Sequence, residues 1–166
     1  GCNASGLMVT HDPEEAMSIC DKVAVMNDGK IHQIDTPINL LNNPKTIFVS
    51  SFILGNNIIN LKKNGNSYIS CLGEINCSEY LKNTGIKSMS ISPKFISIKR
   101  SESGDAIVIS KEFLGEFLIY KVSINGNILR VRTDINNLLN NGDKCSLSIN
   151  KNSYYFLYPG AHKVYI

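Results

Sequence analysis

The amino-acid sequence predicts a mainly β protein, with a small closed or nearly closed barrel preceded by a shorter α/β segment. Helix-start signals cluster before Gly55, and strand signals dominate after it. Those strand signals are short and frequent, separated by Gly, Asn, Ser and Asp clusters. A barrel suits them because closure removes exposed sheet edges and buries one face of every strand. Charge divides at the same place: residues 7–58 hold six acids against three lysines, net −3, and residues 59–166 hold fourteen basic residues against eight acids, net +6, within an overall +3.

Taken in order, Leu7-Met8-Val9 reads as the end of a buried strand. Asp12 is a good helix N-cap, Pro13 stands where the first helical residue has no N–H to waste, and Glu15 falls three positions after the cap, as in a capping box. The helix so opened is expected to bury Ala16, Ile19, Cys20 and Val23 at three- and four-residue spacing. Gly29-Lys30 sits in a hairpin. Thr36-Pro37 starts a short helix, and Ile47, Phe48, Phe52 and Ile53 mark another that stops at Gly55. Strands are then expected at 58–61, 68–72, 89–91, 95–98, 106–109, 117–124, 128–131, 145–149 and 154–157. Asn125-Gly126 is the clearest turn, because a two-residue type I′ hairpin needs positive φ at both centres. The result is read as an OB-like barrel.

Tyr154, Tyr155, Phe156 and Tyr158 share one strand, so alternation places half of them in the core. This, with scattered rather than striped basic residues, argues against nucleic acid as a partner. The cysteines Cys2, Cys20, Cys71, Cys77 and Cys145 form no Cys-x-x-Cys pair, so no metal site is expected and free thiols are the default, Cys71 and Cys77 as half-buried fillers. His32 and His162 have no acidic or Cys neighbours in sequence and read as surface residues. No apolar stretch approaches the roughly eighteen residues of a membrane helix, and no signal peptide is expected.

His11 stands between the apolar run and the capped helix, where a histidine can reach a phosphate near the positive end of a helix dipole. Geometry alone equally fits a strand-end histidine satisfied by its neighbours. Thr10-His11-Asp12-Pro13-Glu14-Glu15-Ala16-Met17, then Asp21-Lys22-Val23-Ala24-Val25-Met26 and Asp28-Gly29-Lys30-Ile31, resembles the end of the nucleotide-binding domain of ABC transporter ATPases. Asp35-Thr36-Pro37, Asn43-Pro44 and Phe48-Val49 continue the likeness, in the manner of importer subunits for ferric iron, polyamines, phosphonates, sulfate or sugars.

The resemblance implies that His11 is the switch histidine, which contacts the γ-phosphate of ATP and helps arrange the attacking water. It implies ATP and Mg as cofactors of the full-length parent, and membrane permease subunits as partners at the inner face of the cell membrane. A phosphate-binding loop needs G-x-x-x-x-G-K-[ST] after a strand, whereas Gly29-Lys30 is followed by Ile31; neither a Leu-Ser-Gly-Gly-Gln signature nor an apolar strand ending in paired acids occurs. The fragment is therefore expected to need no cofactor and to hydrolyse nothing alone. Residues 1–6 read as an expression scar or an arbitrary start, 7–55 as the C-terminal remnant of the nucleotide-binding domain, and 56–166 as a regulatory domain.

That second domain resembles the TOBE module of such importers at Ile91-Ser92-Pro93-Lys94, Glu112-Phe113-Leu114-Gly115 and Arg130-Val131-Arg132. Where the family commonly shows Arg-Pro-Glu, this chain has Ser92-Pro93-Lys94, so contacts inferred from that motif do not transfer and Pro93 reads as shaping a strand entry. The resemblance implies homodimer contacts and sensing of a substrate or partner. The alternative is a stand-alone oxyanion- or small-ligand-binding module: Arg130 and Arg132 are two apart on one strand, share a face, and can grip a carboxylate or phosphate together, although a solvated outer face is the more ordinary account of such charge.

Overall fold

The computed structural model describes residues 5–75 and 85–166. Cys2 and Cys77 lie outside them. Helix α1 (Pro13–Ile19) opens as expected, with the Asp12 carboxylate accepting from the Glu14 and Glu15 N–H groups. The reciprocal half of the capping box runs through a relay. Thr10 Oγ1 accepts from the Asp12 N–H at 3.1 Å and donates to the Glu15 carboxylate at 2.7 Å.

Strands β1 (Val23–Asn27) and β2 (Lys30–Asp35) form an antiparallel pair. Their turn needs left-handed backbone at both centres, and Asp28 (φ 49°) and Gly29 (φ 72°) supply it. Thr36 and Thr46 cap α2 (Pro37–Asn42) and α3 (Ile47–Leu54), and Gly55 ends α3 at φ 62°. The buried Gln33 amide crosses between elements, donating to the Asn43 carbonyl at 3.1 Å and accepting from the Lys45 N–H at 2.8 Å. The Asn39 side-chain amide and the Thr36 N–H hold the Asp35 carboxyl below its usual range. Val25, Leu40 and Val49 form the small core here, with Met17, Val23, Phe48 and Ile53 packed around it.

Among the described residues after α3, strands predominate, so the mainly β class stands. Strands β8 (Ile96–Arg100), β9 (Ala106–Phe113), β10 (Phe117–Ile124), β11 (Asn127–Asp134) and β12 (Lys144–Ile149) form one antiparallel sheet in the order β11-β10-β9-β12-β8. It curls until its edge strands β11 and β8 lie against each other, without sharing a ladder. This is an OB-like arrangement left open at one seam. A four-stranded sheet joins β14 (His162–Tyr165), β13 (Tyr154–Tyr158), β7 (Ser88–Ile91) and β3 (Asn57–Asn60), and β4 (Lys62–Asn64), β5 (Ser67–Ser70) and β6 (Gly73–Ile75) form a third. Tyr68, Tyr120, Ile59, Met89 and Leu157 sit in the common core. Tyr120 satisfies its buried hydroxyl by accepting from the Leu139 N–H at 2.9 Å and donating to the Asn137 carbonyl at 2.6 Å, which ties down the loop after β11.

Side chains join the helical segment to the sheets. The Asn57 carboxamide donates to the Arg130 carbonyl and accepts from the Arg130 N–H, each at 2.8 Å, so it acts as one residue of a strand laid against the edge of β11. Next to it, Ser50 of α3 and Ser90 of β7, both fully buried, meet at 2.5 Å, and the Asn56 amide donates to both hydroxyls. The Asn56 Oδ1 atom is buried with no donor among the described residues. Tyr158 donates to the Pro44 carbonyl at 2.7 Å.

Several expectations need correcting. Leu7-Met8-Val9 is no buried strand: Leu7 is 95% and Val9 91% exposed, because no described segment lies beside this run to pair with it. Helix α1 has no buried residue. Its seven residues face a core too small to cover them, so Ile19 stays 68% exposed, Ala16, Cys20 and Val23 are only half-buried, and Met17 with Val23 makes the contact. Phe95 falls in a 3-10 turn (Pro93–Phe95) that delays β8 to Ile96. Pro93 fixes the backbone there, as a proline at the start of a turn does. On β13 the alternation fails, because both faces of the strand are covered: Tyr155 and Leu157 enter the common core, while on the other side Phe156 meets the Tyr154 ring and Tyr158 reaches the Pro44 carbonyl. His32 is half-buried, with Nδ1 3.3 Å from Thr46 Oγ1 and its ring 4.9 Å from that of Phe48, and His162 is half-buried too.

Two measurements check this account. Asn57→Ala is expected to destabilise the chain by about 1–3 kcal/mol in urea unfolding, the range for stranding buried backbone groups; Asn57→Asp, which turns the donor into an acceptor facing the Arg130 carbonyl, should not rescue it. Burial pushes the Tyr158 hydroxyl from 10.0 up to about 12, with Ser50 pulling the other way. A raised folded pKa gives stability that is complete below the unfolded value and is lost as pH rises through the folded one. Stability should thus fall between pH 10 and 12, and Tyr158→Phe should flatten that part of the curve.

Candidate functional site

On β11 the buried Leu129 and Val131 alternate with the exposed Arg130 and Arg132, so both guanidinium groups leave the same face, as their spacing predicts. They enter one cleft of about 390 Å³. Its walls come from the start of α1 (Pro13, Glu14), the end of α3 (Phe52 to Gly55), the turn at Ser92 to Lys94, and β10 with Phe117. A second, more polar cleft of about 700 Å³ runs on between β8 and β11 and shares Lys94, Phe117 and Arg132.

Each arginine is positioned by a neighbour. The backbone of Arg130 is fixed by Asn57, and its guanidinium lies beside Gly55, where an added Cβ would stand 3.8 Å from Nη1. The Arg132 guanidinium stacks on the Phe117 ring with its carbon 3.7 Å from the centre. Lys94 lies over Phe95 at 5.0 Å. The ion pair found among the described residues is Arg100–Asp143 at 2.5 Å, so Lys94, Arg130, Arg132 and the one cleft carboxylate, Glu14, are not salt-bridged among them.

His11 is exposed, one residue ahead of the α1 cap, and does not line either cleft. The fold therefore brings Arg130 and Arg132 together and leaves His11 apart. Lys94, Phe117 and Glu14 were not foreseen as lining residues. Phe117 was within reach of counting: with Asn125-Gly126 as the turn, Ile124 opposes Asn127 and Ile119 opposes Arg132, so Phe117 is the diagonal neighbour. Nothing local in the sequence brings Glu14 or Lys94 there.

Other reactive groups lie apart from both clefts. Burial pushes the Cys71 thiol up, and burial with the Asp143 charge does the same to Cys145. The Lys163 ammonium covers the Tyr154 ring at 4.0 Å. Gly29-Lys30 is locked in the β1–β2 turn, and no group of three or more His, Cys, Asp or Glu among the described residues is placed to hold a metal ion. No described helix is long and apolar enough to cross a membrane.

No family model matches the chain. Individual relatives do. A spermidine/putrescine import ATP-binding protein of Bacillus thuringiensis (strain Al Hakam) is 54% identical over 63 residues, 38% of this chain and 18% of that protein. Proteins of the same description from Desulfitobacterium hafniense (strain Y51) and Trichormus variabilis are 53% identical over 53 residues (32% of this chain, 15% of the relative) and 56% identical over 52 (31% and 14%). The likeness falls at the N-terminal end. Over that stretch the chain resembles the C-terminal part of an ABC importer ATP-binding subunit. The importer resemblance reaches less than a fifth of the Bacillus protein's length.

Proposed function

We propose that this chain is the C-terminal portion of the ATP-binding subunit of an ABC importer, with residues 7–55 ending its nucleotide-binding part and 56–166 forming a TOBE-type regulatory domain. The observation that carries the reading is the 54% identity over 63 residues to a protein named for ATP binding in spermidine and putrescine import. Local structure supports it: the segment beginning at Thr10-His11-Asp12-Pro13 is an independently capped helix followed by a tight hairpin. Polyamine uptake is the proposed work of the intact transporter, at the cytoplasmic face of the membrane and with permease partners.

In this reading ATP and magnesium are held by the remainder of the parent, and His11 is brought to the γ-phosphate by that remainder. An imidazole suits the role, since one ring nitrogen donates to a phosphoryl oxygen while the other is held. The fragment alone is inactive. In the full-length subunit, His11→Ala should cut ATP hydrolysis by about a hundredfold or more, within the range for loss of a positioned acid–base group, with ATP binding retained. Unchanged turnover would assign His11 to local structure alone.

Homodimer contacts are proposed for the β-rich part, whose exposed apolar side chains include Ile107 at 46%, Phe113 at 64% and Ile128 at 68%. Sedimentation velocity of residues 56–166 embedded in the full chain should show a dimer that weakens on Ile128→Lys. A strict monomer at high concentration counts against that contact.

A further inference from the structure

We infer that the cleft bounded by α1, the end of α3 and the β10–β11 hairpin binds a small organic anion, its carboxylate or phosphate held by Arg130, Arg132 and Lys94 and its apolar body lying against Phe52 and Leu114. Three features of the cleft carry this. The first is unneutralised charge. Three cations and one carboxylate line the cleft, and none of them is in an ion pair among the described residues. The end of α3 beside Arg130 presents roughly half an elementary charge, and the adjoining cleft adds Glu116 and Asp134 against Lys99, so cations remain in excess around the arginines.

The second is preorganisation. Arg132 lays the face of its guanidinium on Phe117 and so keeps its in-plane N–H donors for a ligand, the geometry in which arginine grips an oxyanion with two parallel bonds. Arg130 is held through its backbone by Asn57, so its side chain starts from a fixed point. Less side-chain freedom then remains to be lost on binding.

The third is the mixture of surfaces. Phe52 and Leu114 are 42% and 44% exposed, and both line the cleft that holds the arginines. A fully hydrated inorganic ion leaves them wet, whereas an anion with an apolar body covers them. The volume of about 390 Å³ falls within the usual span for small-molecule sites, roughly 300–1,000 Å³. Glu14 lines the cleft from α1, so the site draws on both the helical segment and the sheet. It depends on this cleft alone and not on the importer reading.

The test uses the whole 166-residue chain and phenyl phosphate as probe, with inorganic phosphate and benzyl alcohol alongside, followed by amide chemical shifts and calorimetry. Phenyl phosphate is expected to shift amides around Gly55, Lys94, Phe117 and Arg132. Arg130→Gln and Arg132→Gln should each weaken binding about tenfold or more, as loss of a charge-assisted hydrogen bond does. Glu14→Gln, at an exposed position that cannot unfold the chain, should tighten it about threefold by removing a like charge. Inorganic phosphate bound as tightly as phenyl phosphate means an adventitious ion only and overturns the inference. So does benzyl alcohol bound as tightly, or binding indifferent to all three substitutions.

Discussion

One side-chain amide, that of Asn57, does the work of a strand that is not there. An edge strand leaves a row of N–H and C=O groups open to solvent or to another chain, and on β11 the exposed pair falls at Arg130. Asn57 reaches it from across 73 positions of sequence and closes both hydrogen bonds. Because Asn57 opens β3, and β3 pairs with β7, the clasp couples the four-stranded sheet to the five-stranded one. One residue earlier, Asn56 binds Ser50 of α3 and Ser90 of β7. Two adjacent asparagines thus govern how the helices, the two larger sheets and the cleft arginines stand to one another.

Much of the local architecture could be read from residue types, because the signals were stereochemical. Asp12, Thr36 and Thr46 have short oxygen-bearing side chains that suit N-caps, Gly55 tolerates a left-handed end, and Asn125-Gly126 tolerates positive φ twice. What escaped depended on partners distant in sequence. The Leu7-Met8-Val9 run has the composition of a buried strand, yet burial is a property of neighbours, and none lies beside it. Likewise β13 gave no periodic hint that it is covered on both faces, since that cover comes from the common core on one side and reaches Pro44, far earlier in the chain, on the other. The short strands β4, β6 and β14 were passed over because Lys62 and Lys63, Gly73 and Glu74, and His162 and Lys163 dilute the apolar pattern.

The same contrast applies to function. Arg130 and Arg132 announced a shared face through simple alternation. Their setting, with a ring beneath one, a clasp behind the other and a carboxylate lining the same cleft, required the folded chain. His11 is the opposite case: its surrounding words match importer subunits closely, while its own side chain stands in solvent beside a helix cap. The likeness to importer subunits therefore lies in the helical segment, while the paired arginines lie on the sheet and meet that segment across the cleft.

The hairpin of β1 and β2 turns Ala24, Met26, Ile31 and Ile34 outward, with Met26 opposite Ile31 and Ala24 opposite Ile34. Met26, Ile31 and Ile34 are each more than half exposed, at 57%, 55% and 55%. Such a patch makes the isolated chain sensitive to salting-out. Sulfate and phosphate strengthen apolar burial by being excluded from protein surface, and a patch open to solvent can satisfy that drive between molecules as readily as folding does within one. The salts that harden the core would also lower the concentration at which the protein stays in solution.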